Sequence, residues 1–162
     1  MGSTKVSALR ARRDSSYACQ IALLGLIASL GCRSVAYDAT SGARLPFTSI
    51  ARGSTSRILE PQALVIETPG AWATFWDRHA PGQAVPSVDF ATEVVVAVLA
   101  GQCPTAGYAV DILAVEQGPD IATVVYRVSR PLPGALVAQV LTSPFHIVRL
   151  RRPGTPLRPE RR

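Results

Sequence analysis

Residues 93–100 read E-V-V-V-A-V-L-A, a nearly continuous run of valine and other apolar side chains. A strand with one face in water alternates apolar and polar residues, so this unbroken run predicts a strand that is covered on both faces. We therefore expect residues 93–100 to form a central strand. With 162 residues, the chain has the length of a single domain.

Short apolar segments separated by turn residues lie on both sides of this run and predict further strands. They are residues 47–52, 63–67, 108–115, 121–129, 136–141 and 145–150. The turn sequence Q-G-P-D at 117–120 favours an antiparallel hairpin between its two neighbouring segments. Pro144 restricts the junction before the last segment to a sheet edge or a bend.

One helix is predicted between residues 69 and 79. Thr68 and Pro69 provide an N-cap followed by a proline in the first helical position, and Pro81-Gly82 ends the helix. Its aromatic side chains recur at helical spacing: Trp72, Phe75, Trp76 and His79. This face must be buried. The predicted fold class is therefore α+β and mainly β: an antiparallel sheet or barrel-like sandwich of six to seven strands with one covering helix.

The first 31 residues have the pattern of a secretory signal. Basic residues precede the apolar run I-A-L-L-G-L-I-A-S-L at 21–30, and Gly31-Cys32 follows. The run is too short for a membrane-spanning helix, which needs about twenty apolar residues. Cys32 after Leu-Gly resembles a bacterial lipobox, although Ser29 and Leu30 stand in swapped order. We expect residues 1–31 to be removed, Cys32 to be lipidated, and residues 32–46 to form a tether.

This reading places the protein in the cell envelope, anchored to a membrane by lipid and facing the periplasm or the surface. Plain secretion is the alternative. In that case Cys32 could form a disulfide with Cys103, which otherwise has no partner after loss of Cys19 with the signal segment.

The formal charge of +6 is concentrated near the two ends of the chain. A nucleic-acid-binding protein needs basic residues clustered on a folded face, and no such cluster occurs between residues 34 and 148. We therefore expect no nucleic-acid partner. Residues 152–162 are rich in arginine and proline and are predicted to form a flexible tail.

The sequence offers few residues that could be catalytic. Cys103, His146 and Asp89 could form a thiol triad, but a cysteine without a partner is more often a small buried hydrophobe, and His146 alternates with apolar residues along a strand. No phosphate-binding loop, nucleophile elbow or zinc spacing is present. We expect no catalytic residues, no metal site and no cofactor.

Residues 48–151 resemble the C-terminal domain of PrcB-like proteins, which are lipoproteins named for a subunit that stabilises a surface serine-protease complex. The matching pieces are Trp72 to Trp76, P-S-V-D-F at 86–90, the valine-rich run, G-Q-C-P-T-A-G-Y at 101–108 and Q-V-L-T-S-P-F-H-I-V at 139–148. Family members commonly have Thr-Gly-Gly-Tyr, whereas Ala106 replaces the first of these glycines here. We expect the positive φ of that loop to fall on Gly107.

The resemblance implies that residues 47–151 form a PrcB-like domain with an accessory, non-catalytic role. A protein-binding module would grip an envelope partner, such as a serine protease, through the 101–108 loop and a neighbouring sheet edge. The loop residues expected to make contact are Gly101, Pro104, Thr105, Gly107 and Tyr108. The alternative function is a lipoprotein that binds a small ligand or an envelope polymer in a pocket that includes Trp72 or Trp76.

Overall fold

The computed structural model describes residues 42–162, which form seven strands and one helix. In chain order these are β1 (Phe47–Gly53), β2 (Gln62–Ile66), α1 (Pro69–His79), β3 (Glu93–Leu99), β4 (Ala109–Gln117), β5 (Ala122–Ser129), β6 (Phe145–Arg151) and β7 (Leu157–Arg161). The predicted signal segment 1–31, Cys32 and the tether up to residue 41 lie outside the described residues. Among the described residues, no helix has the length and hydropathy needed to cross a membrane.

The strands form two sheets. The first has the order β1-β6-β3-β2, and all of its neighbouring strands are antiparallel. The second has the order β4-β5-β7, in which β4 and β5 form the predicted antiparallel hairpin and β7 runs parallel to β5. The prediction of a mainly β fold with one helix is confirmed. The prediction offered a single antiparallel sheet or a barrel-like sandwich. The structure is a sandwich of two sheets, which do not close into a barrel.

β3 is the centre of the first sheet, between β6 and β2, as its apolar sequence predicts. Its odd-numbered side chains pack towards α1, whereas its even-numbered side chains pack against the second sheet. The valines at 94, 95 and 96 are at most 1% exposed. Because both faces are covered, neither set of positions can take polar residues, which explains the unbroken apolar run.

α1 has the predicted bounds and caps. The side chain of Thr68 accepts a hydrogen bond from the Ala71 N–H, and Pro69 occupies the first turn, where its missing N–H costs nothing. The predicted aromatic face is buried against the first sheet. Trp72 also donates from Nε1 to the carbonyl of Pro86 at 2.8 Å, which fixes the segment between α1 and β3.

The predicted strand at residues 136–141 is wrong. These residues belong to the connection between β5 and β6, where Pro131 and Pro133 offer no N–H to a ladder and Gly134 turns the chain with φ +79°. The apolar pattern of residues 136–141 is real, but most of its large side chains face solvent instead of a sheet partner.

The predicted flexible tail is also wrong, because residues 157–161 form β7. Ala122 N–H donates to the carbonyl of Pro156 and Arg162 N–H donates to the carbonyl of Tyr126, both at 2.8 Å. Even-numbered residues of β7 therefore bond to β5. Pro159 falls at an odd position, so its missing N–H points to the outer edge, where a proline is tolerated.

Candidate functional site

The predicted contact loop at 101–108 connects β3 to β4 and packs on the β5–β6 connection. Cys103 and Thr142 exchange two backbone hydrogen bonds of 2.7 and 3.0 Å. The Thr142 hydroxyl donates to the carbonyl of Thr105 at 2.9 Å, and Ala106 N–H donates to the carbonyl of Ala138 at 3.0 Å. These bonds join residues 101–108 and 130–142 into one unit, which we call the paired-loop surface.

Two glycines shape this surface. Gly101 has φ +75°, and a Cβ there would lie 2.7 Å from the backbone nitrogen of Pro61. Gly107 has φ +86°, and a Cβ there would lie 3.0 Å from Cγ of Pro131. The expectation that Gly107 carries the positive φ is confirmed. Both positions therefore require glycine, for conformation and for space.

The five predicted contact residues differ in exposure. Pro104 and Gly107 are exposed, Thr105 and Tyr108 are half-buried, and Gly101 is buried. Gly101 therefore holds the loop in place and is not available for contact. Pro104 and Tyr108 also line a hollow of about 330 Å³ together with Arg130 and Arg161.

The strongest feature of the paired-loop surface was not predicted as part of a site. Four large apolar side chains of the β5–β6 connection are exposed: Leu132 (79%), Leu136 (105%), Val140 (53%) and Leu141 (69%). Scattered exposed apolar residues are normal, but several on one short segment are typical of an interaction surface. The sequence signal was present in the apolar run at 136–141, which we interpreted as a strand of the sheet.

Cys103 is a poor nucleophile in this fold. Its side chain is 7% exposed, and Sγ lies 3.8 Å from the carbonyl oxygen of Gly101. Burial raises the pKa of the Cys103 thiol, and the positive charge of Arg130 offsets this only in part. The reactive thiolate is therefore disfavoured.

The structure does not assemble the triad considered from the sequence. Both ring nitrogens of His146 have other partners: Nδ1 accepts from the Ile112 N–H at 3.0 Å, and Nε2 lies 3.1 Å from the Ser49 hydroxyl. Asp89 caps a turn by accepting from the Ala91 N–H at 3.1 Å. The side chains of His146 and Asp89 are thus hydrogen-bonded to other groups, and neither activates Cys103.

Ser49 and His146 form a different pair that sequence reasoning missed, and the carboxylate of Asp111 acts on the imidazole through its charge. Ser49 and Asp111 lie on β1 and β4, and no sequence motif links them to His146 on β6. Because the Ile112 N–H occupies Nδ1, the neutral ring carries its proton on Nε2 and donates it to Ser49. A serine nucleophile needs the opposite tautomer, with Nε2 ready to accept the hydroxyl proton. His146 therefore cannot activate Ser49.

The surroundings of His146, taken together, also oppose protonation of its ring. Burial lowers the pKa of His146, the charge of Arg52 lowers it further, and the carboxylate of Asp111 acts in the opposite direction. Asp111 itself is paired with Arg52, with Arg127 at 3.9 Å. The imidazole is thus held neutral as a hydrogen-bonded bridge between the two sheets.

The alternative pocket at Trp72 and Trp76 is not formed. The two side chains are 2% and 5% exposed and belong to the core beneath α1. They have no open face for stacking on a ligand or a polymer, so this part of the alternative is wrong. Within residues 42–162, no group of three or more histidine, cysteine or carboxylate side chains is placed to hold a metal ion.

The fold and site define a small β-sandwich domain that presents a braced, apolar loop surface. Residues 94–151, which run from β3 to β6, match the family model described as PrcB C-terminal. The resemblance seen in the sequence is thereby confirmed over residues 94–151. This family consists of accessory-subunit domains associated with a protease complex and is not a known catalytic family. No curated protein and no solved structure matches this chain.

Proposed function

We propose that this protein is an envelope lipoprotein whose domain binds a protein partner through the paired-loop surface and acts as a non-catalytic accessory module. Cys32 carries the lipid anchor in this proposal, and the residues that follow it hold the domain away from the membrane. The predicted tether of residues 32–46 ends before Ala43, because Ala43 and Leu45 are hydrogen-bonded to β4. The partner that the family suggests is an envelope protease, which the domain stabilises as part of a complex.

The observation that carries the proposal is the exposure of four large apolar side chains on a segment that is hydrogen-bonded to its neighbour. Removing exposed apolar side chains from water in an interface favours association. The hydrogen bonds between the two loops fix the segment before binding, which reduces the entropy lost on association. Together these features favour a preformed binding surface.

The test is recovery of partners from the native membranes with the full-length lipidated protein, read by mass spectrometry. A reproducible envelope protein is expected with the wild type and lost with Leu136→Glu. Ile121→Glu is the matched control, since Ile121 is 42% exposed at the opposite end of the β4–β5 hairpin. A partner retained by Leu136→Glu would contradict the assigned surface. Absence of any partner, together with a ligand-induced rise in Tm, would contradict the accessory function.

The anchor is tested separately by the intact mass of the mature protein. Two acyl chains on a cysteine at the new N-terminus are expected, and Cys32→Ser should abolish both the acylation and the membrane association. A mature wild-type protein without acyl chains would contradict the lipoprotein assignment. A disulfide between Cys32 and Cys103 would do the same, and it would appear as a mass change of the folded protein on reduction.

A further inference from the structure

The outer side of β2 is an open sheet edge beside α1. Ala100 N–H donates to the carbonyl of Pro144 at 2.9 Å, so the even-numbered residues of β3 bond to β6. The odd-numbered residues of β3 therefore bond to β2, where they meet positions 62, 64 and 66. The backbone N–H and C=O groups of Ala63 and Val65 consequently point away from β3, and among residues 42–162 no strand pairs with the outer side of β2.

The other three sheet edges in residues 42–162 are protected. β1 and β4 each contain a register shift, and Leu45 N–H bonds to the outer side of β4 at the carbonyl of Val115. Pro159 interrupts the outer edge of β7. β2 reads Q-A-L-V-I, with a regular register and with no proline or charged residue. Proteins normally block such an edge, so an unblocked one is a candidate for strand addition.

A groove of about 550 Å³ runs between this edge and α1. Its helix side carries small residues, Gly70, Ala71 and Thr74, which leave space above Phe75. A strand of five residues spans about 17 Å, so a short extended segment fits alongside β2. The geometry is that of strand addition, in which backbone bonds give affinity and alternate side chains enter pockets.

The charges at the two ends of the groove differ. Glu67 is paired with Arg152 at 3.6 Å, so the charge at that end is compensated. Arg78, in the last turn of α1, also lines the groove and has no carboxylate within ion-pair distance in the described chain. An unpaired guanidinium beside an open strand edge matches an acidic side chain on the incoming segment.

We propose that β2 and α1 bind an extended peptide segment of a protein partner, which adds to the edge of β2 and places an acidic side chain against Arg78. The proposal rests on the proposed function only in that the occupant is a protein. It adds a second contact that does not use the paired-loop surface.

The test uses the full-length protein and fluorescence anisotropy of a labelled peptide that alternates valine and threonine and carries one glutamate. Binding is expected, with a few-fold loss when lysine replaces the glutamate and a complete loss when alternate peptide nitrogens are methylated. Arg78→Glu should reverse the charge preference. Equal binding of the methylated and unmethylated peptides, or no binding of any peptide, would overturn the proposal.

A matched pair of helix variants locates the peptide. Thr74→Trp fills the groove and should abolish binding, whereas Asp77→Trp places the same side chain on α1 outside the groove and should preserve it. Equal effects of the two variants would overturn the assignment. A wild-type dimer in sedimentation that Thr74→Trp dissociates would make a second copy the occupant and likewise overturn it. Leu136→Glu should bind the peptide normally, so failure of this groove and failure of the paired-loop surface are distinguishable.

Discussion

The buried face of α1 and the paired-loop surface both concentrate large apolar side chains, but they differ in exposure. On the helix face, Trp72, Phe75 and Trp76 are at most 5% exposed, whereas Leu132 and Leu136 in the loop are at least 79% exposed. The helix face therefore contributes to folding, and the loop side chains contribute almost nothing to it. The two sets are therefore separable: the helix face is needed for stability, whereas the loop side chains are not and remain free for the proposed association.

The largest expected effect is loss of the helix-face core. Trp76→Ala should lower the free energy of unfolding by roughly 3 to 5 kcal/mol, since a large buried aromatic leaves a cavity that the sheet cannot fill. Urea denaturation followed by circular dichroism measures this value. An unchanged Tm would show that Trp76 is not part of the core and would remove one side of the comparison.

The second effect concerns the bridge between the sheets. His146→Leu leaves the Ile112 N–H without its acceptor and should cost about 1 to 3 kcal/mol, the range for a buried unsatisfied donor. Ser49→Ala is the matched control because Ser49 is exposed and can be replaced by water as the partner of Nε2. If the two variants lose equal stability, the Ile112 bond is not the important one.

A dependence of stability on pH follows from both histidines. Burial lowers the pKa of His79, which is paired with Ser56 at 2.8 Å, and that of His146. The unfolded chain, with histidine pKa values of about 6.5, takes up protons first as the pH falls. Stability is therefore full above about pH 6.5 and declines as the pH falls towards the folded-state pKa values.

Denaturation curves between neutral pH and the range where carboxylates begin to titrate measure this decline. Each histidine contributes at most about 1.4 kcal/mol per pH unit. His146→Leu and His79→Gln should each make the decline shallower. A slope unchanged in both variants would assign the acid sensitivity to other groups.

The smallest expected effect on stability is at the paired-loop surface. Leu136→Ser should change the free energy of unfolding by no more than about 0.5 kcal/mol, as is usual for an exposed position. The same variant should lose the partner recovered from membranes. A loss of several kcal/mol would instead show that Leu136 is packed in solution, and the distinction between the two regions would fail.

The parts of the fold that could be predicted are those whose signals are local. The caps and the aromatic spacing of α1 define a helix by themselves, and the run at 93–100 needs no knowledge of its neighbours to indicate a strand covered on both faces. β7 could not be predicted in this way. Its proline and arginine residues are typical of a tail, and only the unpaired edge of β5 makes them a strand.

The candidate site was predicted in outline. The 101–108 loop was identified by resemblance, but its partner loop was interpreted as a strand, because an apolar pattern alone does not tell whether a sheet edge is within reach. The pair of His146 and Ile112 depends on how the two sheets are stacked, which no spacing within the chain encodes. The groove beside β2 depends on strand order in the same way.

The parallel pairing of β7 with β5 makes the second sheet dependent on the last residues described. Without residues 157–161, β5 would have unpaired backbone N–H and C=O groups along one side, and such a protein would be prone to self-association. Loss of β7 alone would thus expose a sheet edge in the second sheet, although every residue of the paired-loop surface would remain intact.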